Sequence, residues 1–145
     1  MARSITAANA VYMIAVAGVF ATPVQLQGFA ADEVWGTDPL KSAEVLMGVD
    51  GKLSGGFVYV PIEQNITLQA DSLSNGYFDQ WWNAMQGNQN PFPAQGTIRL
   101  RSVGSKWVLT KGFLTTYQPI PDAKKLLQPR KFGITWQAVT PAATL

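Results

Sequence analysis

Few residues in this 145-residue chain could carry chemistry. Asp32 and Glu33 are adjacent carboxylates, Arg99 and Arg101 stand two apart, and Lys124-Lys125 is followed at a short interval by Arg130-Lys131. Paired carboxylates can share acid–base work, but neighbours in an acidic loop are ordinarily each solvated. The chain has no Cys, which excludes disulfides, thiolate nucleophiles and zinc–sulfur sites. It also has no His, which removes the commonest general base and the commonest transition-metal ligand. Catalysis would have to run on carboxylates, Lys or Tyr, and no constellation of these forms an active site. Gly55-Gly56 is not followed by Lys-Ser/Thr and makes no phosphate loop. The expectation is a protein that is not an enzyme and holds no metal and no cofactor.

The charges are unevenly placed. Residues 1–96 carry three basic and eight acidic side chains, net −5, whereas residues 97–145 carry eight basic and one acidic, net +7. A nucleic-acid binder can concentrate its cations this way, and a self-assembling subunit can meet its own opposite charge on a neighbour. With 47% hydrophobic and 14% charged residues, the chain has little charge to cover a free surface, so part of that surface is expected to be covered by other copies.

The organising element is predicted over Asp71–Gln86. Leu73, Tyr77, Trp81 and Met85 fall four apart with Phe78 and Trp82 beside them, one apolar helical stripe. Asn75, Asp79, Gln80, Asn83 and Gln86 face away on this reading; Asp71 or Ser72 caps the start and Gly87 ends it. No cation interrupts the stripe, so it reads as a core anchor rather than a base-stacking platform. Its partner should be a sheet, since the chain offers several strands and no second long helix.

The chain in order supports that sheet. Ala10–Ala21 is an apolar run after a single Arg3; it resembles a short secretory signal, yet Tyr12, Ile14 and Val16 alternate as a buried strand would, and the strand is favoured. Val24–Phe29 alternates as a half-buried strand, and Ala30–Pro39 reads as a loop. Glu44–Val49 and Lys52–Tyr59 flank Asp50-Gly51, a strong hairpin signal. One face of that hairpin carries Val45, Met47, Val49, Leu53, Phe57 and Tyr59, the other Glu44, Gly48, Asp50, Lys52, Ser54 and Gly56. Ile66, Leu68 and Ala70 mark a strand entering the helix, and Gly87–Gly96 a loop. Thr97–Val103 and Lys106–Thr116 form a second hairpin about Gly104-Ser105, with Ile98, Leu100, Trp107, Leu109, Phe113 and Leu114 as its apolar members. Asp122–Leu127 is expected to make one helical turn, Lys131–Val139 a closing strand that carries Trp136, and Thr140–Leu145 a mobile tail. One domain is expected over 1–145.

From Ile66 to Val139 the order is a strand, a Trp-rich helix, a Pro-rich loop, a hairpin containing KWVLTKGFLTTYQP, a turn PDAKKLLQPR and a closing strand KFGITWQ. This resembles the tail tube protein of a long-tailed, contractile-tailed bacteriophage, in detail over the second half and in layout over the first. The resemblance implies a β-sandwich or partial barrel with one flanking α-helix at about 72–86. It also implies hexameric rings whose inner strands join into one β-barrel, stacked head to tail as a virion tail tube assembled in the host cytoplasm. Double-stranded DNA would pass through without specific binding, with tail sheath, baseplate, terminator and tape-measure proteins as partners and no membrane.

On that resemblance, the lumen-facing candidates are Glu44, Asp50, Lys52 and Ser54. The candidates for charge contacts between subunits or rings are Arg99, Arg101, Lys106, Lys111, Lys124, Lys125, Arg130 and Lys131 with Asp32, Glu33, Asp38, Glu63 and Asp71. Leu73, Tyr77, Trp81, Trp82, Met85, Trp107 and Trp136 are the structural core. The alternatives are a tube from a related secretion or tail-derived contractile apparatus, or a nucleic-acid-binding β-domain with Arg99, Arg101, Lys106 and Lys111 tracking phosphates.

Overall fold

A computed structural model describes residues 10–30, 34–101 and 103–142. The fold is mainly β. Seven strands form one antiparallel sheet: β1 (Ala10–Val16), β2 (Phe20–Gln25), β3 (Trp35–Thr37), β6 (Ile62–Leu68), β7 (Ala94–Leu100), β8 (Ser105–Tyr117) and β9 (Arg130–Ala142), in the order β2-β1-β7-β8-β9-β6-β3. Among the described residues, strands β4 (Ala43–Met47) and β5 (Leu53–Phe57) pair only with each other, and a single helix, α1, spans Asn75–Asn88.

Alternation dictates which face is covered. Tyr12, Ile14 and Val16 of β1 are buried, as are Ile98, Leu109, Leu114, Phe132, Ile134, Trp136, Ile62 and Ile66 on β7, β8, β9 and β6. The sheet curls around these side chains into a partial barrel. The Tyr12 hydroxyl on β1 donates to Gln64 Oε1 on β6 at 2.6 Å, across strands far apart in the sheet order. Residues 26–30 bridge the two sides: Leu26 N–H donates to Tyr12 O, and Gln69 N–H to Gly28 O. Burial pushes the Tyr12 phenol far up, only partly offset by the Trp136 indole N–H, so Tyr12 stays a neutral donor.

Helix α1 plugs one end of this half-barrel. Phe78 stacks on Phe132 with ring centroids 4.3 Å apart, and the buried Trp81 donates its indole N–H to Phe92 O at 3.0 Å. Trp82, half-buried, stacks on Tyr117 at 4.7 Å. Within the sheet, Gly112 of β8 leaves room for the indole of its β9 register partner: a Cβ there would collide with the Trp136 ring.

Several expectations are corrected. The helix starts three to four residues later than predicted, because Ser72 turns its hydroxyl to Gln27 O and residues 69–74 form turns instead. Neither Asp71 nor Ser72 caps it; Ser74 holds the N-cap position without a side-chain cap bond, and Gln89 in the left-handed region follows Asn88, beyond Gly87. Leu73 therefore leaves the stripe and is 94% exposed. Asn75 faces inward, its amide donating to Gln69 O at 2.9 Å. The predicted strand Val24–Phe29 lies instead at Phe20–Gln25, and the predicted loop Ala30–Pro39 contains β3. Asp122–Leu127 is no helical turn but a loop closed by an Ala123–Leu127 bridge and the Gln128 N–H bonded to Asp122 O. Thr140, placed in a mobile tail, lies within β9 opposite Val108.

Candidate assembly surfaces

The β3, β6, β7, β8 and β9 strand ends opposite α1 form the open mouth of the half-barrel. There a cleft of about 400 Å³ is walled by Trp35, Leu100, Trp107 and Pro141 and floored by Gln64 and Trp136. Gln64 is buried, and its Oε1 accepts from both Tyr12 and the Trp136 indole N–H, the latter at 3.1 Å. This shared acceptor fixes the floor of the cleft, and the mostly apolar walls are broken beside Trp35 by Thr37 and the exposed Asp38.

The β4–β5 hairpin grows from the same end, between β3 and β6. Asp50-Gly51 makes its turn as the sequence predicts: Gly51 adopts φ +84°, and Asp50 Oδ1 accepts from Lys52 N–H at 3.1 Å. The register puts Val45, Met47, Leu53 and Phe57 on one face. Each is at least 60% exposed, and Tyr59 beyond them is 91% exposed. The opposite face holds Glu44, Ser54 and Gly56, but also Leu46, 75% exposed, so it is less polar than the alternation of the other residues suggests. Lys52 is exposed beside the turn, and Glu44 pairs with Lys41 at 3.0 Å.

The cations divide between two ends. Arg99 and Lys106 are direct partners in the β7–β8 register near the mouth, with Arg101 in the adjoining turn. Like charges directly opposite destabilise a strand pair. Lys111 sits at the irregularity in β8 with a left-handed backbone, φ 47°. Lys124, Lys125 and Lys131 are exposed at the helix end. The basic strands β7, β8 and β9 form the middle of the sheet and the earlier strands flank them, so the split along the chain does not become one positive and one negative end.

Arg130 is the correction among these cations. It is 6% exposed and turned inward, donating to Asp79 Oδ1 at 2.8 Å and to Gln118 O at 2.9 Å. Tyr117 donates its hydroxyl to the same Asp79 oxygen, and the guanidinium lies 5.1 Å from the Phe132 ring centre. Burial raises the Asp79 carboxyl, but the bonds and charge of Arg130 and the Tyr117 hydroxyl outweigh it and hold the carboxyl below its usual value. Sequence reasoning missed this clip because its members lie 51 and 38 residues apart. Among the acidic candidates, Asp38, Glu63 and Asp71 are exposed, and Asp32 and Glu33 lie outside the described residues. Tyr77 and Met85 are half-buried against the core, as is Trp107. Among the described residues, no group of three or more metal-ligating side chains gathers, and no helix is long and apolar enough to cross a membrane.

A family model described as tail fiber protein gp32 matches residues 3–140. No curated protein matches by sequence. Several solved structures share the fold, three of them as follows. One is a chain of the anti-feeding prophage baseplate, 6-fold symmetrised, at TM-score 0.58, 11% identity and 99% coverage of both chains. A second comes from the sheath/tube terminator of an extracellular contractile injection system, at TM-score 0.60, 14% identity and 99% coverage of both. The third comes from the sheath-tube complex of such a system, at TM-score 0.56 and 13% identity, covering 91% of this chain and 88% of that one.

Proposed function

This chain belongs to the tail fiber protein gp32 family, and from that premise we propose that it is a non-catalytic subunit of a phage tail, assembling into hexameric rings that stack as the tail tube. The observation that carries this reading is the β4–β5 hairpin, which pairs with no other strand among the described residues and shows solvent large apolar side chains on both faces. An isolated two-stranded hairpin is marginal in water, and an apolar patch of this kind marks a surface that a partner covers. Strands of neighbouring copies joined into a ring-wide barrel would also remove the open edges at β2 and β3. The sixfold symmetry of the baseplate that shares the fold, and the tube and terminator assemblies of the other two, support rings as the form.

In this reading the Glu44, Asp50, Lys52 and Ser54 side of the hairpin lines the channel, where carboxylates would repel passing double-stranded DNA rather than bind it. The sheath, baseplate, terminator and tape-measure proteins are the partners of such a tube, in a virion assembled in the host cytoplasm. The exposed cations and Asp38, Glu63 and Asp71 remain candidates for contacts between copies. Because the fold is shared with a baseplate chain over 99% of both chains, a single-ring baseplate or terminator role is the second reading. Electron microscopy of the purified protein tests both. Long tubes support the tube, isolated rings the second reading, and a protein that stays monomeric at high concentration overturns the proposal.

A further inference from the structure

We propose that the loop between β8 and β9 seats its Leu126-Leu127 tip in the mouth cleft of a second copy, where Lys124 and Lys125 meet Asp38. This rests on the assembly reading above and names the surfaces that would join one copy to the next. Exposed loop tips ordinarily carry small or polar side chains. This loop instead shows solvent three large aliphatics, Ile120, Leu126 and Leu127, beside the two lysines.

The loop is held in one shape. At its root the Arg130 guanidinium donates to Gln118 O at 2.9 Å and to Pro119 O at 3.3 Å, and Lys131 N–H donates to Gln118 Oε1 at 2.9 Å. Further out, Gln128 N–H donates to Asp122 O at 2.8 Å, the Gln128 amide donates to Leu126 O at 3.1 Å, and Ala123 bridges Leu127. These bonds order the backbone and leave the aliphatic side chains uncovered. A segment already ordered loses little freedom on docking, so burial of its apolar side chains converts more fully into affinity.

Charge selects the occupant. Among the described residues that line the cleft, Asp38 alone is charged, and the rest are mostly apolar. Ile98, Leu100, Trp107 and Leu109 turn toward the cleft, so Arg99 and Lys106, which alternate with them, project from the other face of the sheet. Lys41, next to Leu40, is already paired with Glu44. Asp38, Lys124 and Lys125 form no ion pair among the described residues. An apolar cleft with one unpaired carboxylate is the complement of an apolar tip with two unpaired lysines.

The two surfaces lie at opposite ends of the molecule. The loop joins the end of β8 to the start of β9, whereas Trp107 near the start of β8 and Pro141 near the end of β9 wall the cleft. Each of these strands has 13 residues, which at about 3.3 Å per residue spans roughly 40 Å. Only a neighbour can bring loop and cleft together. Such a contact uses two different patches, so it propagates around a ring or along a stack rather than closing as a two-fold dimer.

The chain has no Cys, so disulfide trapping reads the contact directly. Leu126→Cys and Leu40→Cys proteins, each changed at an exposed side chain, are made separately, mixed under assembly conditions and oxidised. A bond forms only where Cα atoms come within about 7 Å. A linked dimer as the main product of the mixture, and none from either variant alone, is the expected result. A linked dimer from Leu126→Cys alone would mean that loops meet loops and would overturn the proposal. Thr37→Cys serves as a second cleft position should Leu40→Cys fold poorly. Lys124→Glu with Lys125→Glu should slow assembly several-fold, and adding Asp38→Lys should restore it; no recovery would remove Asp38 from the contact and overturn the proposal. Rings or tubes seen by electron microscopy with no linked product at either cleft position would overturn this contact and leave the assembly reading standing. A monomer with no linked product would overturn both.

Discussion

The Arg130 guanidinium at the start of β9 donates to the Asp79 carboxylate on α1 at 2.8 Å, joining the plug of the half-barrel to its wall. Arg130 is buried while the Asp79 side chain is 41% exposed, so the pair is neither a solvated surface bridge nor a fully dry one. The Gln118 carbonyl and the Phe132 ring complete the cation's surroundings. Removing the carboxylate leaves a buried positive charge with only neutral partners.

Asp79→Asn is accordingly expected to destabilise the fold by about 2–3 kcal/mol, below the 3–5 kcal/mol typical of a broken fully buried pair because Asp79 is partly solvated. Thermal or urea unfolding measures this. The sign of the pH dependence follows from the lowered carboxyl: in the acid range the unfolded chain binds a proton that the folded one does not. Stability from this pair is therefore complete above the ordinary Asp value near about 4 and is lost as pH falls through the lower folded value. An acid-unfolding profile of Asp79→Asn should lack that loss. Equal acid sensitivity in both proteins would show that other carboxylates control it.

Gly112→Ala probes the contact between β8 and the core. The added methyl would strike the Trp136 ring, and that ring's N–H holds the Gln64 floor of the cleft. Overpacking of this kind costs about 1–3 kcal/mol. A lower Tm with shifted Trp fluorescence is expected; an unchanged Tm would mean that the indole moves aside freely.

The helix allows a contrast between two residues that look alike in sequence. Trp81 is 1% exposed and hydrogen-bonded to Phe92 O, so Trp81→Ala should cost about 3–5 kcal/mol and yield insoluble or unfolded protein. Leu73, in the same predicted stripe, is 94% exposed, and Leu73→Ser should change stability by less than about 0.5 kcal/mol. A large loss at Leu73 measured on the monomer would place it in the core after all; a loss confined to assembly would place it at a contact between copies.

That pair of residues also shows what the sequence could and could not disclose. Periodicity identified the helix and the buried face of β1, and Asp50-Gly51 identified the hairpin, because each signal is local. The helix start depended on Ser72 bonding to Gln27 O, 45 residues away, and nothing near Leu73 announces that. β3 went unseen because three residues are too few for alternation to register. Arg130 reads as a surface cation beside Lys131, and its burial is decided by Asp79 and Tyr117, which no spacing rule connects to it. The cleft is assembled from five strands and has no local signature.

Salt separates the apolar from the charged part of assembly. With Arg130 internal and cations at both ends of the sheet, the net charges of −5 and +7 along the chain do not form two facing poles. With Glu44 and Asp50 assigned to the channel side, the exposed Asp38, Glu63 and Asp71 are the acids left to meet these cations on a neighbour. A partly solvated contact of this kind is worth about 0–1 kcal/mol, and tenfold in rate or affinity needs about 1.4 kcal/mol. Screening shortens from about 10 Å at 0.1 M to about 3 Å at 1 M. Elongation followed by light scattering should therefore slow by less than about tenfold over that range. A much steeper fall would mean that Lys131 and the cations near the mouth also pair across copies. A rate that rises with salt would mean that apolar contacts drive assembly alone and that the exposed cations do not guide it.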